Sequence, residues 1–207
     1  MSSKHPSTST DARRDPPKVH HWTHDYEVVH VDDDAREIAD LLTDARAASY
    51  VDGPTREVVY DDAHTDAADT FRAGTRAEVA TALHLDREPM EAVDLNVSDW
   101  GDDGSDLTLR ETSKEVDVKA HESLPVGDPP RLLVKREKVE KAAADVYVLA
   151  QEWGSEWVVV HGWCTRRDLV RNGRVEKERW NSINWELPAE ELRPAVSLRD
   201  WDNSTPF

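Results

Sequence analysis

Hydrophobic positions recur with helical spacing in two segments of the first half of the chain. In the first, an acidic run at 32–34 precedes an apolar stripe, which predicts a helix over about 34–49. The stripe consists of Ala35, Ile38, Leu41, Leu42 and Ala45. A similar spacing predicts a second helix over about 69–85, and the run 56–60 has the composition of a short strand.

Farther along the chain, short apolar runs alternate with turn residues. They predict strands at about 92–97, 105–110, 115–120, 131–134, 146–150 and 157–163. Helices are expected over about 135–144, over 165–170 with Thr165 as the N-cap, and over 188–192. Asn172-Gly173 predicts a hairpin turn, and the last residues a loose end. The order predicts an α/β fold: a central mixed β-sheet flanked by helices, with an N-terminal helical extension.

The N-terminal region differs in composition from the remainder of the chain. Residues 1–24 are polar and rich in Pro and Ser, which predicts a disordered tail before a single domain over 25–207. His20, His21 and His24 lie there without a cysteine or a spaced fourth ligand, so loop histidines are favoured over a zinc site. With one cysteine and no run long enough to cross a membrane, the sequence predicts a soluble cytoplasmic protein.

The formal net charge of −17 at first argues against a nucleic-acid partner. The charge is uneven, however: residues 1–110 hold 11 basic and 25 acidic side chains, whereas residues 131–179 hold 11 and 8. The Asp-rich, Lys-poor composition is typical of proteins from high-salt cytoplasms, where a Debye length of about 3 Å screens repulsion from DNA. The alternative is an acidic interaction protein that avoids nucleic acid.

Two aspartates and a lysine form the strongest chemical pattern. Asp106 begins one predicted strand after a glycine-containing bend, and Asp117 and Lys119 lie two residues apart on the next. Side chains two apart on a strand share a face, and the backbone carbonyl of Val118 lies between them. Two carboxylates and a carbonyl suit Mg²⁺, and the lysine can orient an attacking water. The alternative is an ordinary surface ion pair between Asp117 and Lys119.

This arrangement resembles the PD-(D/E)XK nucleases of the restriction-endonuclease-like fold, especially small phage, prophage and archaeal members. The similarity covers about residues 70–195 and includes a helix with Glu78, then Gly-Asp-x-Gly-x-Asp-Leu, then the Asp117-Val118-Lys119 strand. It implies that Asp106 and Asp117 bind metal, that Lys119 is catalytic and that Glu78 supports the metal. Ser105 stands where the family often has proline.

Basic residues of the later part are candidate DNA contacts. Lys135, Arg136 and Lys138 form a run that can neutralise phosphates, although an ordinary solvated helix face with Glu137 and Glu140 explains it as well. Together the residues and the resemblance predict a Mg²⁺-dependent DNA endonuclease, in which Mn²⁺ can substitute. The alternatives are a dimeric Holliday-junction-type resolvase of the same fold and a non-catalytic binding module. A homodimer remains open.

Overall fold

Two β-sheets and their covering helices make up the described part of the chain. The computed structural model describes residues 22–52, 67–94, 105–121, 129–177 and 183–203. The strands are β1 Glu27–His30, β2 Leu107–Thr108, β3 Glu115–His121, β4 Arg131–Lys135, β5 Val146–Trp153, β6 Trp157–Thr165, β7 Arg174–Lys177 and β8 Ile183–Pro188. The helices are α1 Asp33–Asp52, α2 Ala67–His84, α3 Pro89–Ala92, α4 Arg136–Lys141, α5 Arg166–Asn172 and α6 Ser197–Asn203.

The larger sheet has five strands in the order β1-β6-β5-β3-β2. Strands β3 and β5 are parallel, and every other neighbouring pair in this sheet is antiparallel. The parallel pair is joined through β4 and α4, as a crossover between parallel strands requires. Strands β4, β8 and β7 form a separate antiparallel sheet.

Helices α1 and α2 cover one face of the larger sheet. Asp32 caps α1 by accepting a hydrogen bond from the Ala35 backbone N–H at 2.9 Å. The sheet-facing side of α2 is built from small residues such as Ala77 and Ala80, which let the helix approach closely. This core buries Val116 and Val118 of β3 against the two helices.

The opposite face of the larger sheet packs against the smaller one. Tyr147 and Leu149 of β5 form a second core with Leu132 of β4, Leu169 of α5 and Leu187 of β8. Because side chains alternate along β3 and β5, residues with odd numbers in these strands face this second core.

The chain after β8 returns to the larger sheet. Trp163 and Arg193 exchange backbone hydrogen bonds, and α6 follows. Gly162 has φ 149°, and a Cβ there would lie 2.4 Å from the Arg193 carbonyl oxygen, so only glycine permits this approach. No helix in the described ranges is long and apolar enough to cross a membrane.

Most of the predicted elements are present. The mixed α/β class is confirmed, as are both long helices, the strands at β3, β5 and β6, and the Thr165 cap, where Thr165 and Asp168 form a reciprocal capping box. The predicted strand 131–134 matches β4, and the predicted helix 135–144 is shorter, as α4. The predicted helix 188–192 is a single 3₁₀ turn, Ala189–Glu191.

Several predictions were wrong. Within the described part of the strand expected at 92–97, Ala92 ends α3 and Val93 makes an isolated bridge with Leu107, while 95–97 fall outside the described ranges. Asn172 ends α5 and Gly173 caps it, so there is no hairpin turn there. The expected loose end contains α6, and β1, β7 and β8 were missed. The run 56–60, most of the N-terminal tail, and His20 and His21 fall outside the described residues.

Candidate metal-binding site

The β2–β3 hairpin brings Asp106 next to Asp117. Leu107 pairs with Val116, and the Asp106 backbone N–H donates to the Val116 carbonyl oxygen at 2.8 Å. The Asp106 Oδ2 atom accepts a hydrogen bond from the Val118 backbone N–H at 2.6 Å. The carboxylate of Asp106 therefore lies against the backbone of β3 beside Asp117.

Alternation along β3 separates its apolar and polar side chains. Val116 and Val118 enter the core under α1 and α2, so Asp117 and Lys119 project from the other face. The Lys119 ammonium donates to Asp117 Oδ1 at 2.5 Å. Asp117 is 1% exposed, whereas the Lys119 side chain is 23% exposed. The ion pair therefore joins a buried carboxylate to an ammonium group that is partly exposed at the protein surface.

Three oxygen atoms at this point suit a hard divalent cation. Asp117 Oδ2 is buried and has no hydrogen-bond partner among the described residues, and a buried carboxylate oxygen without a partner destabilises the fold. The N–H and C=O of one strand residue point to the same edge, so the Val118 carbonyl points to the edge that Asp106 occupies. Asp106, Asp117 and the Val118 carbonyl therefore fit the oxygen ligands that Mg²⁺ prefers.

In the part of the chain that the structure describes, the candidate site has only two carboxylate side chains, so its third oxygen ligand comes from the backbone. Among the described residues, no group of three His, Cys, Asp or Glu side chains is placed to hold an ion. The candidate site consists of two carboxylates and one carbonyl, and Asp102 and Asp103 lie outside the described ranges. Mg²⁺ commonly binds through one or two carboxylates and keeps several waters, so this donor set is sufficient.

A second buried aspartate holds the other end of the hairpin. Asp202 of α6 accepts hydrogen bonds from the backbone N–H groups of Arg110, Glu111 and Thr112, at 3.2, 3.1 and 3.3 Å. These residues form the turn between β2 and β3. This anchor could not be predicted from the sequence, because Asp202 lies about 90 positions from the residues that it contacts.

Glu78 lies in α2 as predicted, but its carboxylate is engaged elsewhere. Arg46 of α1 holds it with two hydrogen bonds, at 2.6 and 2.8 Å, and Glu78 is 4% exposed. Helix α2 covers the face of the sheet opposite to the one from which Asp117 projects. The two-point contact ties α1 to α2, while a role for Glu78 at the metal remains a prediction.

Tyr147 borders the site and was not recognised from the sequence. It is the register partner of Asp117 on β5 and is fully buried. Burial, with a smaller contribution from the Asp117 charge, raises the pKa of the Tyr147 phenol to about 12. In the sequence Tyr147 is one member of an apolar strand, which indicates packing and gives no sign of its hydroxyl group.

The predicted DNA-contacting residues lie at the junction of β4 and α4. Lys135 and Arg136 are exposed, and Lys138 is half-buried. Arg136 pairs with Glu140 at 2.6 Å, an exposed i,i+4 pair worth a few tenths of a kcal/mol, about 0.3–0.5. Strand β4 approaches the site, since His121, two residues after Lys119, bonds through Nε2 to the Arg131 carbonyl at 2.6 Å.

Comparison of the chain with family models, curated proteins and solved structures gave no match.

Proposed function

We propose that the protein is a divalent-cation-dependent nuclease with a restriction-endonuclease-like core of the PD-(D/E)XK kind, which hydrolyses DNA phosphodiester bonds as an endonuclease. The observation that carries this proposal is the convergence of Asp106, Asp117 and Lys119 on the β2–β3 hairpin. Two carboxylates and an amine at one sheet edge are the groups that phosphodiester hydrolysis requires.

The proposed site assigns a separate task to each group. Asp106, Asp117 and the Val118 carbonyl would hold Mg²⁺ or Mn²⁺, which when bound supplies Lewis-acid stabilisation of charge on the phosphate. The partly exposed Lys119 ammonium lies where it can orient the attacking water and offset the same charge. Water attacks phosphorus and releases a proton to solvent, the bond to the 3′ oxygen breaks, and that oxygen takes a proton from solvent.

Burial of Asp117 supports a catalytic role for this ion pair over a surface one. A surface pair would leave both groups in water and contribute about 0–1 kcal/mol. Here Asp117 is 1% exposed and one of its oxygens has no hydrogen-bond partner in the described structure. Selection for stability alone would favour a fully bonded or apolar residue at this position.

The DNA partner is supported by the position of the basic run. Lys135 ends β4, a strand of the sheet that packs on the Asp117 side of β3, and Arg136 begins α4. Both side chains are exposed, in the part of the chain where basic residues outnumber acidic ones. Because the Arg136–Glu140 pair is exposed and weak, Arg136 can exchange the glutamate for a phosphate.

A plasmid-nicking assay with Mg²⁺ or Mn²⁺, at low and at molar KCl, tests the proposal. We expect Asp117→Asn and Lys119→Ala each to lose about 100-fold or more in rate. Lys114→Ala and Glu111→Gln are matched controls, because both residues are exposed near the same hairpin; these variants should cleave at the wild-type rate.

The outcomes separate the proposal from its rivals. Cleavage that persists in both site variants would contradict the assigned residues. Cleavage restricted to four-way junctions would identify a resolvase, and binding without cleavage of any DNA would identify a non-catalytic module.

A further inference from the structure

Tyr147 and Asp117 occupy directly adjacent positions on neighbouring parallel strands. They are register partners between β3 and β5, and such strands lie about 4.8 Å apart. Both side chains project to the same face, toward the core shared with the smaller sheet. The phenol and the carboxylate are therefore close neighbours.

Each of these side chains carries a buried polar atom whose hydrogen bond is not made. In the described structure the Tyr147 hydroxyl and Asp117 Oδ2 are both buried and both lack a hydrogen-bond partner. Leaving such an atom buried and unpaired destabilises the folded protein. A phenylalanine would fill the same space as the Tyr147 ring without this cost, so packing does not account for the hydroxyl.

The two unpaired atoms are chemically complementary. A phenol is protonated at neutral pH, so the Tyr147 hydroxyl is a donor. A carboxylate oxygen is an acceptor only. Asp117 is turned toward Lys119, which bonds its Oδ1 atom at 2.5 Å.

We propose that Tyr147 is a positioning residue of the candidate metal site: when a cation binds Asp117, the Tyr147 hydroxyl donates to the second oxygen of that carboxylate and fixes its orientation. The inference rests on the proposed function, because it assigns Tyr147 a task only if Asp117 holds a cation. Carboxylates that bind metals are themselves usually hydrogen-bonded, and loss of such a partner costs about 10–100-fold in metal affinity.

Calorimetric titration of the full-length protein with Mn²⁺ tests this assignment. We expect Tyr147→Phe to weaken Mn²⁺ binding by about 10–100-fold, while its melting temperature stays equal or rises, since the lost hydroxyl has no partner in the metal-free protein. Tyr26→Phe is the matched control: Tyr26 is half-buried in an aromatic cluster with Trp22 and His24. The Tyr26→Phe variant should bind Mn²⁺ with the affinity of the wild type.

Asp117→Asn distinguishes failure of this inference from failure of the proposed function. If Asp117→Asn abolishes Mn²⁺ binding and Tyr147→Phe binds like the wild type, the role of Tyr147 is overturned and the site stands. If Asp117→Asn itself binds Mn²⁺ normally, the proposed cation site fails. A Tyr147→Phe protein that loses its fold or melts at a lower temperature with unchanged Mn²⁺ affinity would show a structural role and overturn the inference.

Discussion

Asp117 and Asp202 are both buried aspartates that contact the β2–β3 hairpin, yet their environments differ. Asp202 is 7% exposed and accepts from three backbone N–H groups of the turn. Asp117 is 1% exposed, and within the described part of the chain Lys119 bonds one of its oxygens while the other has no partner. A buried carboxylate whose hydrogen bonds are complete is accounted for by structure alone, whereas one with an incomplete set calls for another explanation, such as the proposed bound cation.

Replacing each of the two aspartates by asparagine, one at a time, should give the largest effects: one variant should lose DNA cleavage and the other should lose stability. We expect Asp117→Asn to lose about 100-fold or more in DNA cleavage. Its unfolding free energy should change by about 1 kcal/mol or less, because the partly exposed Lys119 stays solvated and the asparagine oxygen can still accept its hydrogen bond. Asp202→Asn should lose about 2–3 kcal/mol, because charged hydrogen bonds to the turn are weakened. Urea denaturation and nicking assays on both variants check this, and a reversed pattern would refute the comparison.

Glu78 extends the comparison to a carboxylate whose hydrogen bonds are satisfied by Arg46. Glu78→Gln should lower the unfolding free energy by about 3 kcal/mol, because Arg46 loses its buried counter-charge. If Glu78 also supports the metal, as the resemblance implies, Mn²⁺ affinity will fall in the same variant. Reduced stability with wild-type Mn²⁺ affinity would remove Glu78 from the proposed site. Glu91→Gln, at an exposed position of α3, serves as the control.

His161 is a buried side chain whose two ring nitrogens both form hydrogen bonds. Like Asp202, it should therefore contribute to the stability of the fold. Its Nε2 donates to Gln151 and its Nδ1 accepts from His24, both at 3.0 Å. Burial, together with the charges of His24 and His121, lowers the pKa of His161 to about 3. The unfolded chain binds this proton below about pH 6.5 and the folded chain does not, so stability falls as pH drops through that window.

Titration of His161 should lower the unfolding free energy by about 1.4 kcal/mol for each pH unit of acidification, which amounts to about 2 kcal/mol between pH 6.5 and pH 5. Urea denaturation at the two pH values should show that His161→Gln lacks this share of the wild-type loss. His30→Gln, at an exposed position of β1, should keep it. An identical pH dependence in wild type and His161→Gln would show that His161 titrates normally in the folded protein.

Local patterns predicted the groups that lie close in the sequence. The alternation Val116-Asp117-Val118-Lys119 placed the charged pair on one face, and the bend before Asp106 placed the first aspartate at the head of its strand. Contacts between distant residues could not be predicted. Glu78 and Arg46 are 32 positions apart, and Asp202 reaches a turn about 90 positions away. Strands β7 and β8 were missed because charged residues interrupt their short apolar patterns.

The most direct test is a crystal of the full-length protein soaked in Mn²⁺ and measured by anomalous scattering. We expect an anomalous peak with carboxylate oxygens of Asp106 and Asp117 and the Val118 carbonyl oxygen at about 2.0–2.3 Å, and no such peak in Asp117→Asn. Full Mn²⁺ occupancy elsewhere with no peak between these two aspartates would contradict the central claim that the β2–β3 hairpin holds the cation.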